Sequence, residues 1–296
     1  MQRLDPDATE HVHAMEMVEA EVWADWLAAA PTGARGLGVT ALRIGDAVAG
    51  ITRATDVLMY NRVVGLGMAA PTTDDDIDTL ITAYSDARVA RWMIQWCPRA
   101  RPEKTIELLR ACGFYRHNNW VKLYRYTRAR TPDVSTGLRI ERIGGDRRDA
   151  FADILGLAFG HDRALAQWAA SLVDRPSWRA FMAFDGDRPV ATGSLFLHGS
   201  TAWLGFGATH PAYRGRGAQT ALAVTRIRTA EQLGCELVVL ETAEDLPTKP
   251  SQSFRNMRRI GFSVAYARPN YVMTAGTAAA GVIAERRVAA VGFGPA

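Results

Sequence analysis

Hydrophobic and polar positions alternate along the chain in patterns that predict both helices and strands. Residues 216–233 carry an apolar stripe at helical spacing, interrupted by Arg226, and residues 237–240 form a continuous apolar run. The first pattern is typical of an amphipathic helix and the second of a strand covered on both faces. Helices are also predicted over residues 10–30 and 74–89, the latter with acidic residues in its first turn.

Three short strings recur in the same order in the two halves of the chain. V-G-L-G-M-A-A-P, ending at Pro71, matches L-G-F-G-A-T-H-P, ending at Pro211. The first string overlaps a strand predicted over residues 57–68 and the second a strand predicted over residues 201–209. L-L-R-A-C-G-F, ending at Phe114, matches N-M-R-R-I-G-F, ending at Phe262. A third pair, N-W-V-K and N-Y-V-M, follows in each half. This ordered recurrence favours an internal duplication.

The duplication sets the predicted domain boundaries. Residues 1–130 form the first domain and residues 131–274 the second, with a linker over residues 131–137, T-P-D-V-S-T-G. Residues 275–296 are rich in alanine and glycine and lie outside the repeat. We expect them to form a loosely packed tail.

The composition is that of a soluble globular protein. The 296 residues are 48% hydrophobic and 22% charged, and the net charge of +4 is spread along the chain. No nucleic acid partner is therefore expected, although a local anion site is allowed. The three cysteines show no C-x-x-C spacing, the N-terminus lacks a signal-peptide pattern, and no apolar run approaches the roughly 20 residues of a membrane helix. We expect a cytoplasmic protein with no membrane contact.

A loop with two arginines and two glycines, Arg214-Gly215-Arg216-Gly217, precedes the predicted helix over residues 216–233. Free N–H groups at a helix N-terminus bind phosphate, glycines let the backbone approach it, and arginines add charged hydrogen bonds. In the first half the aligned positions are three aspartates, residues 74–76. Carboxylates repel a pyrophosphate, so we interpret them as an acidic helix cap.

Two nucleotide-binding patterns compete for this loop. The chain contains no G-x-x-x-x-G-K-[ST] string, so a P-loop is excluded. A Rossmann turn is partly matched, because Gly215 and Gly217 open a helix and Glu241 ends the next strand. Thr220 stands at the third glycine position, however, and H-P-A-Y-R separates the loop from its strand. The Rossmann alternative predicts a parallel sheet around Gly215.

Over residues 138–274 the chain resembles the GNAT superfamily of acyl-CoA-dependent N-acyltransferases. The resemblance lies in the order of its elements: a strand, H-P-A-Y-R, R-G-R-G-A-Q, a helix, a second strand and R-I-G-F. The R/Q-x-x-G-x-G/A motif of that family is matched through Gly217, and Gln219 stands where a small residue usually ends it. The resemblance implies an α/β fold of two tandem GNAT-like domains, each a mixed, mainly antiparallel sheet flanked by helices. The N-terminal domain would lack a working pyrophosphate loop.

The resemblance also implies the ligands and the residues that hold them. The acyl donor would be acetyl-CoA, the acceptor a primary amine on a small molecule or peptide, and the chain a monomer or homodimer. The backbone of Gly207, Ala208 and Thr209 would pair with the pantetheine arm, and the N–H groups of residues 215–220 would hold the pyrophosphate. The assigned cofactor-binding residues are Gly207, Ala208, Thr209, Arg214, Gly215, Arg216, Gly217, Ala218, Gln219, Thr220 and Asn256.

Direct transfer to an amine in a ternary complex needs a base and a proton source. Glu241 is the candidate base and Tyr266 the candidate acid. Residues 201–209 lack the acidic residue that many relatives carry on that strand, and Met257 replaces a frequent tyrosine. These departures leave open a non-catalytic protein that binds or senses acyl-CoA. No metal is predicted.

Overall fold

The computed structural model of the protein describes residues 9–30 and 36–275, and side chains from residue 11 onward. Within these residues the helices are α1 (Thr9–Ala28), α2 (Asp74–Asp86), α3 (Thr105–Ala111), α4 (Arg148–Phe159), α5 (Arg163–Ala169), α6 (Ala218–Gln232) and α7 (Gln252–Arg259). The strands are β1 (Val39–Ile44), β2 (Ala47–Thr52), β3 (Arg62–Val64), β4 (Arg91–Gln95), β5 (Tyr115–Tyr126), β6 (Arg139–Ile143), β7 (Trp178–Asp185), β8 (Arg188–His198), β9 (Thr201–Thr209), β10 (Leu237–Ala243) and β11 (Ser263–Thr274). None of these helices is both long and apolar enough to cross a bilayer.

The chain divides into two compact units. Unit 1 combines the described part of Met1–Leu37 with Trp120–Ala267, and unit 2 combines Gly38–Asn119 with the described part of Arg268–Ala296. Each unit is therefore discontinuous along the chain and differs from the sequential halves 1–130 and 131–274. Those halves remain a prediction about the repeat, and the tail lies outside the described residues from residue 276 onward.

Unit 1 contains a mixed sheet in the order β5, β10, β9, β8, β7, β6. The consecutive strands β6, β7, β8 and β9 each pair antiparallel with the next. β9 and β10 pair parallel, and β10 pairs antiparallel with β5. Helices α1 and α4 pack on β8 and β9, and α6 packs on the same strands through an apolar core that contains Leu204 and Leu222. The mixed, mainly antiparallel sheet confirms the predicted fold class and contradicts the Rossmann alternative, because β8 runs antiparallel to the strand that leads into Gly215.

Strands β9 and β10 separate part of the way along their length. Their parallel pairing extends only from Thr201 opposite Leu237 to Trp203 opposite Val239. β9 nevertheless continues to Thr209, and β10 continues to Ala243. A gap therefore opens between the two strands beyond Trp203, on the side of the sheet where β9 leads into the Arg214–Gly217 loop.

Unit 2 contains the strand order β1, β2, β3, β4, β11, with a parallel pairing of β3 and β4 and antiparallel pairings elsewhere. The N-terminus of α2 is closed by a capping box. Thr73 Oγ1 accepts from the N–H of Asp76 at 3.1 Å, and Asp76 Oδ2 accepts from the N–H of Thr73 at 2.8 Å. The expectation of an acidic helix cap is confirmed, and this helix end has no arginine–glycine loop.

Each unit contains a strand from the opposite half of the sequence. β5 ends the first half but pairs with β10 in unit 1, from Leu237 opposite Tyr126 to Ala243 opposite Trp120. β11 ends the second half but pairs with β4 in unit 2. The two halves have thus exchanged their last strands, which explains why neither compact unit is a continuous segment.

The prediction of a long strand over residues 57–68 was wrong. Only β3 is extended there. It ends at Val64 and is followed by Gly65 and Gly67, which have φ of +78° and +77°. A side chain at Gly67 would lie 2.7 Å from the carbonyl oxygen of Arg101, so the chain must turn there with glycine. The similar G-F-G string of the second half lies within β9 instead.

Candidate functional site

The Arg214–Gly217 loop has the backbone shape that the sequence predicts for an anion-binding turn. Gly215 and Gly217 have φ of +81° and +80°, a left-handed conformation that favours glycine. Gly217 is the N-cap of α6, and no described side chain caps the first N–H groups of this 15-residue helix. These donors and the positive end of the helix dipole remain available to an anion.

The two arginines of this loop have different environments. Arg216 forms two hydrogen bonds with Asp185, of 2.8 and 3.0 Å, and its guanidinium lies 5.2 Å from the ring centre of Tyr213. The hydrogen bond from Arg216 lowers the pKa of the Asp185 carboxyl. Arg214 is exposed and forms no ion pair with any described residue. Arg214 is therefore the loop cation whose charge is not already paired.

Gln219, the departure from the family motif, turns its side chain toward β9. Its Nε2 donates to the carbonyl of Ala208 at 2.8 Å, to that of Thr192 at 3.1 Å and to the hydroxyl of Thr209 at 3.1 Å. A side chain at Gly207 would lie 2.7 Å from Gln219 Oε1. The glutamine thus fixes the first turn of α6 to the end of β9 and points away from the open face of the loop.

A bulge in β9 lies beside the gap between β9 and β10. Thr192 lies opposite Ala208 and Ser194 opposite Gly205, so β9 contains one extra residue between these pairs. Phe206, within the bulge, has φ of +49°, a conformation that costs about 1–2 kcal/mol for a residue with a side chain. Such bulges re-aim backbone groups and are frequent beside active sites.

Two successive carbonyl groups of the bulge accept hydrogen bonds from side chains of β8. Ser194 Oγ donates to the carbonyl of Gly205 at 3.1 Å, and Thr192 Oγ1 donates to that of Phe206 at 3.0 Å. In a trans peptide the C=O and the following N–H point in opposite directions. The N–H groups of Phe206 and Gly207 therefore both point away from the hydroxyls of Ser194 and Thr192, and the gap lies on the other edge of β9. In a regular strand, two successive N–H groups would point to opposite sides of the strand.

Helix α1 packs aromatic side chains against the bulge of β9. The Trp26 ring stacks on Trp168 with ring centres 4.1 Å apart and contacts Phe206 at 5.3 Å. Asp25, one residue earlier, accepts two hydrogen bonds from Arg175 and one from Trp178 Nε1. These contacts fix the C-terminal end of α1 over the bulge.

Farther toward the N-terminus, α1 places two glutamates over β5. Glu16, Glu19 and Lys122 are fully buried; Lys122 Nζ donates to Glu19 and lies 3.8 Å from Glu16 Oε1. Lys122 lies directly opposite Glu241 in the pairing of β5 and β10, so both side chains are on the same face of the sheet. Glu241 itself is half-buried.

The hydroxyl of Tyr266 donates to Glu16 Oε1 at 2.6 Å. The structure therefore places the candidate acid in contact with a buried ionic cluster of Glu16, Glu19 and Lys122, and the candidate base opposite Lys122 in the sheet. Sequence reasoning missed this cluster, because acidic residues on a helix usually indicate a solvated face. The recurrence of N-W-V-K, which contains Lys122, was the only signal for it.

The other assigned residues lie apart from this cluster. Asn256 Oδ1 accepts from Gln252 and Arg259 on α7, at 2.8 and 3.1 Å.

A cavity of about 370 Å³ lies near the end of α7, lined by Arg130, Pro132, Asp133, Arg259, Ile260 and Gly261. None of these residues was assigned to the cofactor. Burial raises the pKa of the Cys235 thiol, which suits a structural role.

Comparison with known proteins finds one family that is similar to part of this chain. Residues 148–262, which include the bulge and the loop, match the Acetyltransferase (GNAT) family. No curated protein sequence matches the chain. Residues 148–262 are thus similar to the GNAT acetyltransferases in sequence.

Solved structures extend the likeness over nearly the whole chain. A GCN5-related N-acetyltransferase from Kribbella flavida aligns over 88% of this chain and 97% of its own, with a TM-score of 0.59 and 16% identity. A tandem GNAT protein from the clavulanic acid biosynthesis pathway aligns over 92% and 97%, with a TM-score of 0.54 and 13% identity. At these identities the likeness concerns the fold, and the fold is that of a tandem GNAT protein.

Proposed function

We propose that this protein is an acyl-CoA-dependent N-acyltransferase that moves an acetyl group from acetyl-CoA to a primary amine. The observation that carries the proposal is the bulge at Phe206, which directs two successive N–H groups toward the gap between β9 and β10. Two converging donors beside an anion-binding loop suit an acyl oxygen that gains negative charge. GNAT family proteins generally use acyl-CoA, and the donor here is proposed to be acetyl-CoA.

The residues of the site fit an acyl-CoA molecule. The left-handed glycines and uncapped N–H groups of residues 215–220 would hold the pyrophosphate, with Arg214 adding charge. The backbone of Gly207, Ala208 and Thr209, at the unpaired end of β9, would hold the pantetheine arm. When bound, this molecule supplies an activated thioester.

The protein's own part in the reaction is proton transfer and positioning. Glu241, half-buried within β10 and two residues before its end, would take a proton from the incoming amine, so that its nitrogen can form the amide bond. Tyr266 would give its hydroxyl proton to the sulfur as the carbon–sulfur bond breaks. Lys122, 3.8 Å from Glu16 Oε1, would offset the negative charge left beside Glu16.

We assign helix α1 to the wall of the acceptor site. Its aromatic end contacts Phe206 through Trp26, and its acidic end reaches Tyr266 through Glu16. The N-terminal half of the sequence would thus contribute to the site through α1, although it has no pyrophosphate loop of its own.

A non-catalytic acyl-CoA sensor is the second candidate, and one contact favours it. The hydroxyl of Tyr266 already donates to Glu16 and would have to change partner to act as an acid. The test is the release of free thiol from acetyl-CoA in the presence of a panel of amines. Amine-dependent release supports the transferase; tight binding of acetyl-CoA with no release above the enzyme-free rate would leave the sensor.

A further inference from the structure

Arg226 is a buried cation in α6 that the proposed chemistry has not used. Its side chain is 4% exposed, and it interrupts the apolar stripe of the helix. Nε donates to the carbonyl of Leu222 at 3.0 Å, and Nη1 donates to the carbonyls of Ser194 and Gly205 at 3.0 and 3.2 Å. Among the described residues, no carboxylate pairs with it.

Burying a charge without a counter-ion is costly, and the neighbouring residues accommodate it. Desolvation by burial lowers the pKa of Arg226 to about 10, so the guanidinium is still charged near pH 7. A side chain at Gly193 would lie 2.7 Å from Arg226 Cζ, so the glycine leaves room for the guanidinium. An apolar residue of similar length would fill this space without the desolvation penalty. Packing alone does not account for an arginine here.

The position of the guanidinium relates it to the bulge. Arg226 Nη1 and Ser194 Oγ both donate to the Gly205 carbonyl, which belongs to the same peptide group as the Phe206 N–H. A cation bound to a carbonyl polarises its peptide, because hydrogen bonds in a chain strengthen one another. The Phe206 N–H, on the other side of this peptide, is one of the two donors directed toward the gap.

We propose that Arg226 is a positioning residue that polarises the Gly205–Phe206 peptide and so strengthens the Phe206 N–H as a donor to the acyl oxygen of a thioester. This inference rests on the proposed function. The charge acts through the backbone: Arg226 lies on the α6 side of β9 and does not itself contact the acyl group. The guanidinium also holds the bulge in the shape that presents both N–H groups.

Arg226→Lys and Arg226→Gln form a matched pair that separates charge from shape. Each variant keeps one donor for the Gly205 carbonyl, but only lysine keeps the charge. The measurement is the infrared band of the thioester carbonyl in acetyl-CoA labelled with ¹³C at that carbon, bound to each protein in the absence of acceptor. Calorimetry on the same samples gives the affinity for acetyl-CoA.

In the wild type and in Arg226→Lys, binding is expected to shift the band to lower frequency. Arg226→Gln is expected to lose at least about half of this shift while its affinity changes by less than about threefold. Equal shifts in the wild type and Arg226→Gln, or equal losses in both variants, would overturn the inference. Failure of the wild type to bind acetyl-CoA would instead overturn the proposed function.

Ser194→Ala keeps the test decisive if Arg226→Gln does not fold. This variant removes the neutral donor from the Gly205 carbonyl and leaves the charge in place. It is expected to keep most of the shift, as Arg226→Lys does. Loss of the shift in Ser194→Ala would show that the shape of the bulge, rather than the charge, sets the band, and would overturn the inference.

Discussion

The guanidinium of Arg216 is bound to the Asp185 carboxylate through two hydrogen bonds of 2.8 and 3.0 Å. Arg214, two residues earlier in the same loop, is exposed and has no such partner among the described residues. An arginine that is already paired gains less from a new anion, since the earlier pair must be broken or shared. The two arginines of the loop are therefore not equivalent.

Arg214→Ala is expected to weaken acetyl-CoA binding more than Arg216→Ala. The loss of a charge-assisted hydrogen bond predicts a rise in Kd of about 5–20-fold for the first variant and less than about threefold for the second. Calorimetric titration with acetyl-CoA measures both values. Arg188→Ala, which removes another exposed arginine beside Tyr213, is the control. The reverse order of effects would show that Arg216 leaves Asp185 to bind the ligand.

Glu241→Gln is expected to lower kcat by about 100-fold with little change in the affinity for acetyl-CoA, because it removes the proposed base. Tyr266→Phe should lower kcat as well and remove the hydrogen bond to Glu16. Glu244→Gln, three residues along the chain from Glu241, is the control. Unchanged kcat in both site variants would remove these residues from the mechanism.

Gln219→Ala restores the small residue that the family motif usually has at this position. The variant loses three hydrogen bonds to β8 and β9, so the free energy of unfolding should fall by about 1–3 kcal/mol in denaturant titrations. Its affinity for acetyl-CoA should change by less than about threefold, because the side chain points away from the loop. A large loss of affinity with unchanged stability would assign Gln219 to the ligand.

Asp25 should make stability depend on pH. Burial raises the pKa of its carboxyl, but hydrogen bonds from Arg175 and Trp178 outweigh burial and hold it below the ordinary value of 3.8. A group whose pKa is lower in the folded state stabilises the protein above its unfolded pKa and loses this contribution as the pH falls through the folded value. The wild type should therefore exceed Asp25→Asn in unfolding free energy at pH 7, and the difference should shrink below about pH 4. A difference that is constant from pH 7 to pH 2 contradicts this account.

Much of the fold follows from local signals in the sequence. The paired glycines before Ala218, the turn residues and the acidic cap at Asp76 place the loop, α6 and α2 close to where they lie. The exchange of β5 and β11 could not be predicted, because N-W-V-K and N-Y-V-M have similar patterns. Alternation specifies which face of a strand is buried, but not which strand becomes its partner.

The finer geometry of the site depends on contacts between residues distant in sequence. Nothing local requires Phe206 to adopt a positive φ; the donors that hold the bulge come from Thr192, Ser194 and Arg226. Glu16 and Glu19 resemble a solvated helix face in the sequence. They are buried because Lys122, about 100 residues away, provides their partner.

The most direct test of the account is a calorimetric titration of the protein with acetyl-CoA, beside the double variant Arg214→Ala with Gly217→Asp. Aspartate at Gly217 would place a carboxylate and a strained left-handed residue in the loop, where φ is +80°. We expect the wild type to bind one acetyl-CoA per chain and the folded variant to bind none. Binding at two sites would contradict the assignment of a single loop, and no binding by the folded wild type would contradict the acyltransferase itself.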